Sequence, residues 1–314
     1  MTGPGRPRVV VSEFMDPAAV ARLAEGADVH EDATLVTDRP RLLTAVADAD
    51  ALVVRDRTRV DAEVLAAAPR LRVVGRLGVG TDNLDLEALA DRGVAVRLAT
   101  GANAVSVAEH VVGSLLVLSR PAFGATARLV AGEWPRTELI GRELSGRTLG
   151  LVGFGATARE VAARAAALGM SIVASDPMVT DGGPGVTMLD LDAMLAVSDA
   201  VSVHAPLLPS TRGLIGADAL ARLPEGAVLV DTSRGGVVDH DAVVAALRSG
   251  HLAGAALDVF PEEPLAPALT ARYADVPGLL LTPHLAGVTR ESNVRVSGVV
   301  AEAVLAALAE GAGA

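Results

Sequence analysis

The sequence contains no cysteine and no lysine, so all 27 of its basic residues are arginines. Without cysteine, the chain can form no disulfide framework, no thiolate zinc site and no cysteine nucleophile. Without lysine, it can provide neither a P-loop lysine nor a lysine that forms a Schiff base with pyridoxal phosphate or an aldol substrate. These absences exclude several large classes of enzyme, and we predict no metal site.

The chain also lacks a positive charge balance and a long uncharged apolar run. Its net charge of -11 argues against a nucleic-acid partner, because such a protein must neutralise phosphates with clustered basic residues. The apolar stretch before Glu13 is too short for a signal peptide, and no uncharged run approaches the length of a membrane span. We therefore expect a soluble, cytoplasmic protein without a membrane partner. The 314 residues, 51% of them hydrophobic, are enough for two domains.

A dinucleotide-binding pattern occupies residues 148–176. An apolar run leads to Gly153 and Gly155, a helix-length alanine-rich stretch follows, and a second apolar run ends at Asp176. This order is typical of a βαβ unit that binds a dinucleotide. Gly153 permits the tight turn, and Gly155 lets a pyrophosphate approach the helix N-terminus. Asp176 is expected to accept hydrogen bonds from a ribose diol.

The residues around this pattern favour NAD over NADP. Pro177 and Met178 follow Asp176, so no arginine is present there to pair with a 2′-phosphate, which Asp176 itself would repel. Ala158 stands where the pattern has its third glycine, and its methyl group only loosens the contact between helix and strand.

Strand-like and helix-like segments alternate along both halves of the chain, which predicts parallel α/β layers. The alternation runs from residue 8 to 98 and resumes after the fingerprint, with strands predicted at 200–203, 227–230, 255–257 and 279–281. Between the halves, we predict an apolar helix at 103–120 and a second helix at 122–132 that leads to Trp134, the only tryptophan. Such a pair can link two domains or face a second subunit.

No predicted strand follows the final predicted helix, residues 289–308. We expect this helix to pack on the first domain. We therefore predict an α/β fold of two Rossmann-like domains with parallel sheets. The substrate-binding domain comprises residues 1–101 and 288–314, and the NAD-binding Rossmann domain, residues 102–287, is inserted into it.

Polar residues follow four of the predicted strands, at positions 204, 231–234, 258 and 282–284. Ligands of open α/β sheets lie outside the carboxyl ends of the strands, so these residues should converge on one crevice. Arg234 offers a bidentate fork for a carboxylate, and His284 titrates near neutrality. Glu263 could hold the imidazole and raise its pKa. Because His204 also ends a strand, position alone does not choose between the two histidines. Each of these residues also has a purely structural interpretation, as a loop cap, a turn residue or a solvated carboxylate.

Several ordered motifs resemble those of the D-isomer-specific 2-hydroxyacid dehydrogenases, most closely the 3-phosphoglycerate dehydrogenase branch, over nearly the whole chain. They are residues 75–83, 106–110, the fingerprint, 204–211, 232–236, 258–264 and 283–285. Residues 12–16 and 99–103 also resemble sulfolactate dehydrogenases of this family. The sequence ends at Ala314, so we expect no regulatory domain of the kind many phosphoglycerate dehydrogenases carry.

The resemblance implies a role for each residue that matches these motifs. Arg234 would bind the substrate carboxylate and α-oxygen, His284 would be the acid/base and Glu263 its partner. Asp258 would contact the nicotinamide end of the cofactor. Backbone N–H groups near Val79 and Gly80 would hold the substrate carboxylate.

The fingerprint, the strand ends and the resemblance together predict the cofactor-binding residues. They are Gly153, Gly155, Ala156, Thr157, Asp176, His204, Ala205, Pro206, Thr211, Thr232, Ser233, Arg234, Asp258, His284, Ala286 and Gly287. The family often has an arginine where this chain has Ala156, so we expect one pyrophosphate contact to be missing. Family habit and the apolar helix at 103–120 together predict a homodimer.

The resemblance implies an NAD-dependent enzyme that transfers a hydride between nicotinamide and C2 of a D-type 2-hydroxy or 2-oxo acid. One alternative is a reductase of the glyoxylate/hydroxypyruvate or D-lactate type. The other is a non-catalytic protein that senses NAD(H) and resembles the corepressors of the family.

A cluster of arginines suggests a second anionic group on the substrate, as in 3-phosphoglycerate or sulfolactate. Arg55, Arg57 and Arg59 alternate, so an extended segment would point all three to one side. Arg76 adjoins the loop expected to hold the carboxylate. The predicted substrate-binding residues are Arg57, Arg76, Val79, Gly80 and Arg234.

Overall fold

The computed structural model describes residues 6–310. In this part of the chain, the strands are β1 (Arg8–Val11), β2 (Asp28–Glu31), β3 (Ala51–Val54), β4 (Val73–Arg76), β5 (Ala95–Leu98), β6 (Thr148–Val152), β7 (Ser171–Ser175), β8 (Val186–Met188), β9 (Ala200–Val203), β10 (Ala227–Asp231), β11 (Leu252–Leu257) and β12 (Leu279–Leu281). The helices are α1 (Pro17–Gly26), α2 (Arg39–Ala45), α3 (Ala62–Ala67), α4 (Leu86–Asp91), α5 (Ala104–Ser119), α6 (Thr126–Val130), α7 (Ala156–Ala167), α8 (Leu191–Ala196), α9 (Ala217–Arg222), α10 (His240–Ser249), α11 (Pro267–Thr270) and α12 (Arg290–Glu310). Short 3₁₀ helices are Ala33–Thr37, Pro121–Gly124 and Ala271–Tyr273.

The chain divides into two compact units. The first unit runs through Asn103 and resumes at Thr289, and the second is Ala104–Val288. The first contains a sheet of order β2-β1-β3-β4-β5, and the second a sheet of order β12-β11-β10-β9-β6-β7-β8. Neighbouring strands are parallel throughout both sheets. The predicted α/β class with two parallel sheets is confirmed, whereas the roles predicted for the two domains stay predictions.

Apolar strands covered on both faces create the core of the first unit. Val9 and Val11 of β1 pack in one cluster, while Val10 between them packs in another. This split follows from the alternation of side chains along a strand. Helix α12 lies against β4, where a β-carbon on Gly75 would meet methyl groups of Val300 and Val304 at 2.7 Å. Glycine at this position therefore lets the final helix approach the sheet closely.

Within residues 6–310, α12 is the one helix long and apolar enough to cross a membrane by length and composition alone. Its side chains at Val296, Val300, Val304 and Leu308 are buried in the core of the first unit. The helix therefore packs on α1, β4 and β5, as a core helix does.

Two strands were absent from the sequence-based expectation. Strand β2 and strand β8 lie at sheet edges, and their residues are mostly exposed or half-buried. An edge strand needs no apolar residues on both faces, so its sequence does not show the apolar run that marks a central strand.

The single helix predicted at 122–132 is wrong. The structure has a 3₁₀ turn at Pro121–Gly124 and then the short helix α6, with a break at Ala125 between them. Gly124 at the end of the first turn favours the interruption, since glycine destabilises a helix interior.

Candidate active site

The first glycine of the fingerprint occupies a backbone position that other residues rarely adopt. Gly153 follows β6 with φ of 84°, and a β-carbon there would lie 3.0–3.2 Å from backbone atoms of His204 and Ala205. Both the left-handed conformation and the close approach of the neighbouring strand therefore require glycine.

The second glycine leaves open space at the start of a helix. Gly155 caps α7 without any side-chain hydrogen bond, and a β-carbon on it would meet no atom within 4 Å. Ala156 and Thr157 form the first turn of this 12-residue helix. The first N–H groups of a helix have no intrahelical partner, and together with the open space beside Gly155 they fit the pyrophosphate of a dinucleotide.

Asp176 organises the glycine turn. Its Oδ2 accepts a hydrogen bond from the N–H of Phe154 (2.7 Å), and its Oδ1 accepts one from the N–H of Met178 (2.8 Å). A carboxylate oxygen has two lone pairs, so each oxygen keeps acceptor capacity for a ribose hydroxyl. The structure thus adds a positioning role to the ribose contact predicted from the sequence.

The carboxyl ends of β9 to β12 lie side by side. Asp231 pairs in register with Val203 on one side and with Leu257 on the other, and Leu257 pairs with Leu281. The residues that follow these strands, His204, Thr232–Arg234, Asp258 and Thr282–His284, are therefore brought to one edge of the second unit's sheet.

Glu263 and His284 form a hydrogen-bonded pair at this edge. His284 Nδ1 lies 2.6 Å from Glu263 Oε2, while Glu263 Oε1 accepts a hydrogen bond from the N–H of Phe260 (2.8 Å). His284 Nε2 makes no hydrogen bond with any residue between 6 and 310. One ring nitrogen is therefore fixed by a carboxylate, and the other is open to a ligand.

The two partners shift each other's proton affinity. The hydrogen bond from Glu263 raises the pKa of His284 above its ordinary value, against the opposing effect of burial and of Arg234. Partial burial alone would raise the pKa of Glu263, but the bonds from His284 and Phe260 outweigh it and lower that pKa. The pair therefore favours an imidazolium beside a carboxylate.

His204 differs from His284 in both partner and charge. Its Nε2 lies 2.9 Å from the hydroxyl of Ser202, and desolvation lowers its pKa to about 4. His204 is thus held neutral, whereas His284 gains proton affinity, so the two strand-end histidines are chemically unlike.

Asp258 fixes the turn that carries His284. Its carboxylate accepts hydrogen bonds from the Thr282 hydroxyl (2.6 Å) and from the N–H groups of Leu285 (2.9 Å) and Ala286 (2.8 Å). Its carbonyl accepts the N–H of His284 (2.8 Å), which adopts φ of 53°. Asp258 therefore holds His284 in an uncommon conformation, a positioning role that sequence reasoning missed.

The loop that carries Arg234 touches the loop that carries Glu263. A β-carbon on Gly235 would overlap the Phe260 carbonyl and the Pro261 nitrogen. The charge of Arg234 lowers the pKa of both Glu263 and His284. The structure thus brings together the three residues predicted to be catalytic.

Two buried polar atoms at the end of β10 have no hydrogen-bond partner within the described residues. They are Asp231 Oδ2 and Thr232 Oγ1. Asp231 Oδ1 accepts hydrogen bonds from the N–H (2.9 Å) and the hydroxyl of Ser233, yet burial raises the pKa of Asp231 to about 7. A buried group without a partner is uncommon, so Thr232 Oγ1 fits a site that a ligand completes. Together with the open start of α7, these atoms fit a bound dinucleotide.

The predicted substrate residues of the first unit lie at or after the ends of β3 and β4. Gly78 has φ of 155°, and a β-carbon on it would overlap the Arg76 guanidinium. Val79, next to it, is 41% exposed, and Gly80 is half-buried. Arg76 therefore lies directly against the loop predicted to hold the substrate carboxylate.

The extended conformation expected for residues 55–59 is wrong. The backbone bends at residues 56–58, so the alternation of a strand does not apply there. Hydrogen bonds from three N–H groups of this loop to Glu13 explain the bend. Arg57 remains exposed, whereas Arg55 is half-buried.

Comparison with known proteins identifies the family. Residues 112–286 match the NAD-binding domain of the D-isomer specific 2-hydroxyacid dehydrogenases. The chain is 51% identical over 304 residues to (S)-sulfolactate dehydrogenase of Chromohalobacter salexigens, covering 96% of this chain and 98% of that protein. It is 43% identical to D-3-phosphoglycerate dehydrogenase of Mycobacterium bovis, covering 96% of this chain but only 57% of that protein.

A solved structure shares the fold as well. The TT0316 protein of Thermus thermophilus matches with a TM-score of 0.86 and 36% identity, covering 96% of this chain and 97% of that one. The chain belongs to the D-isomer-specific 2-hydroxyacid dehydrogenases and is an NAD-dependent oxidoreductase that acts on a small hydroxy or oxo acid. The family resemblance predicted from the sequence is confirmed.

The opposite pKa shifts of the two histidines predict different titrations. In an NMR titration, His284 should gain its proton above the ordinary histidine pKa of about 6.5, and His204 only near pH 4. Glu263→Gln removes the charge that favours imidazolium, so it should lower the pKa of His284 and leave that of His204 unchanged. An unchanged His284 titration in this variant would contradict the pairing.

Proposed function

We propose that this protein catalyses the NAD-dependent interconversion of a D-type 2-hydroxy acid and its 2-oxo acid, with Arg234, Glu263 and His284 as catalytic residues. The observation that supports this most strongly is the Glu263–His284 pair, with Nε2 open at the carboxyl edge of the sheet. A raised histidine pKa suits a group that must both give and take a proton near neutral pH.

The proposed chemistry divides between cofactor and protein. When bound, NAD would supply the hydride acceptor or donor at nicotinamide C4. His284 Nε2 donates a proton to the carbonyl oxygen in the reductive direction and takes the hydroxyl proton in the oxidative direction. Glu263 stabilises the imidazolium form between these events. The Arg234 guanidinium binds the carboxylate through two parallel hydrogen bonds and polarises the α-oxygen.

The cofactor site we propose follows the glycine turn and the strand ends. The first turn of α7, at Gly155, Ala156 and Thr157, would hold the pyrophosphate, and Asp176 the adenine ribose. Asp176 also disfavours a 2′-phosphate, which supports NAD over NADP. The remaining predicted contacts come from the strand ends and the segments after them. They are His204, Ala205, Pro206, Thr211, Thr232, Ser233, Asp258, Ala286 and Gly287.

We further propose that the substrate carries a second anionic group. Arg57 supports this, because its exposed guanidinium has no hydrogen bond or ion pair with any residue from 6 to 310 and follows a strand end in the first unit. Two relatives are named for sulfolactate and 3-phosphoglycerate, acids that bear a sulfonate or a phosphate beside the carboxylate. These two acids are our candidate substrates. Arg57 would bind the second anionic group, and Arg76, Val79 and Gly80 would lie near the carboxylate.

Loss of the acid/base should reduce turnover but not cofactor binding. We expect His284→Ala to lower kcat by roughly 10²–10⁴-fold, the usual effect of losing a general acid/base. The dissociation constant of NADH, measured by fluorescence titration, should stay nearly unchanged. His251→Ala, which removes another histidine of the second unit, is the control and should retain activity. Full turnover in His284→Ala would refute the mechanism.

Arg57 should matter only for substrates with a second anion. We expect Arg57→Ala to raise KM for such 2-oxo acids by about tenfold, the affinity change for one lost charge-assisted contact. KM for pyruvate should not change. Arg41→Ala, which removes an arginine paired with Asp32, controls for the loss of charge alone. An unchanged KM for every dianionic substrate in Arg57→Ala would count against the second-anion proposal.

We also infer a homodimer in the cytoplasm. Apolar side chains between residues 116 and 140 are exposed, and Val130, Trp134 and Ile140 are 84%, 80% and 75% exposed. Exposed apolar clusters of this kind often mark a protein interface. Light scattering at micromolar concentration should give twice the monomer mass, and Val130→Asp should halve it, whereas Val197→Asp should not. A monomeric wild-type protein would contradict the inference.

A further inference from the structure

Glu13 is a buried carboxylate that binds backbone N–H groups of a distant loop. It follows β1, is 5% exposed, and forms no ion pair within the described residues. Its Oε1 accepts hydrogen bonds from the N–H groups of Arg55 (2.8 Å) and Thr58 (2.9 Å), and its Oε2 accepts one from Arg57 (3.3 Å). The loop after β3 is therefore wrapped around a single carboxylate.

Two further side chains hold the same loop. The hydroxyls of Ser12 and Thr58 share a buried hydrogen bond of 3.0 Å. Asn83 Nδ2 donates to the carbonyls of Thr58 (2.7 Å) and Arg55 (3.3 Å). Donors and acceptors of the loop backbone are thus bound by side chains from two other segments, so the loop has one defined conformation.

The loop presents Arg57 to solvent. Several other arginines of the first unit are paired with carboxylates, among them Arg22 with Glu302, Arg39 with Glu63, Arg41 with Asp32 and Arg70 with Asp50. Arg55 donates to Asn293 Oδ1 (2.9 Å). Arg57 has no such partner within residues 6–310, although its backbone is fixed. A rigid backbone under an unpaired guanidinium is the arrangement expected of a preorganised anion contact.

We propose that Glu13 is a positioning residue for substrate discrimination. It fixes the loop so that Arg57 meets the second anionic group of the substrate without first being ordered. This inference rests on the proposed function, since it needs a substrate with a second anion. Burying a carboxylate is costly unless its hydrogen bonds are satisfied. A glutamine at this position keeps one acceptor oxygen but turns an NH2 donor toward at least one of the three N–H groups that Glu13 binds, which loosens the loop.

Glu13→Gln tests the proposal. We expect KM for the 2-oxo acids of sulfolactate and 3-phosphoglycerate to rise about tenfold, as for one lost charge-assisted contact. Because the loop does not act on the shared carboxylate, kcat and KM for pyruvate should remain within about twofold of wild type. Asn83→Ala loosens the same loop at a half-buried position and should change KM in the same direction, which keeps the test valid if Glu13→Gln folds poorly.

Asp50→Asn is the matched control. Asp50 is a carboxylate of similar burial, 6% exposed, at the opposite end of β3, where it accepts the N–H of Arg8 (2.8 Å). This variant should lower the thermal stability of the protein. The ratio of KM for the dianionic acids to KM for pyruvate should not change. If Arg57→Ala loses the preference for dianionic acids over pyruvate, but Glu13→Gln and Asn83→Ala keep it, the positioning role of Glu13 alone is overturned. A wild-type enzyme with no preference for dianionic acids would overturn the second-anion function and this inference with it.

Discussion

The hydrogen bond between Glu263 and His284 is the interaction on which the proposed chemistry depends. It raises the pKa of the histidine and leaves Nε2 open to a ligand. Neither residue would be in place without its supports. Asp258 binds the His284 turn through its carboxylate and its carbonyl, and the Phe260 N–H binds the second oxygen of Glu263. The parallel sheet supplies the rest of the geometry, because adjacent strands deliver these loops to the same edge.

Much of this arrangement could be predicted from the sequence, because it depends on local patterns. The glycine spacing at Gly153 and Gly155 and the carboxylate at Asp176 follow from the requirements of a βαβ turn. Strand ends could be predicted from apolar runs, and β9 and β12 begin and end at the predicted residues. The choice of His284 over His204 required the family resemblance, since both follow a strand. The structure distinguishes them through their different partners.

The features that could not be predicted arise from contacts between segments far apart in the chain. Glu13 binds a loop some forty residues away, and no sequence pattern marks a carboxylate that accepts three backbone N–H groups. The bend of residues 56–58 follows from that contact, so the alternating arginines suggested a strand that does not form. The partner-free oxygens of Asp231 and Thr232 likewise become visible only once burial is known. The edge strands β2 and β8 were missed because their exposure permits polar residues.

The proposed site requires that this protein turn over a 2-oxo acid rather than only bind a dinucleotide. The most direct measurement is the decrease in NADH absorbance with a panel of 2-oxo acids, with and without a second anionic group. We expect oxidation of NADH, with the highest kcat/KM for the acids that carry a sulfonate or a phosphate. Tight NADH binding without turnover of any acid in the panel would contradict it.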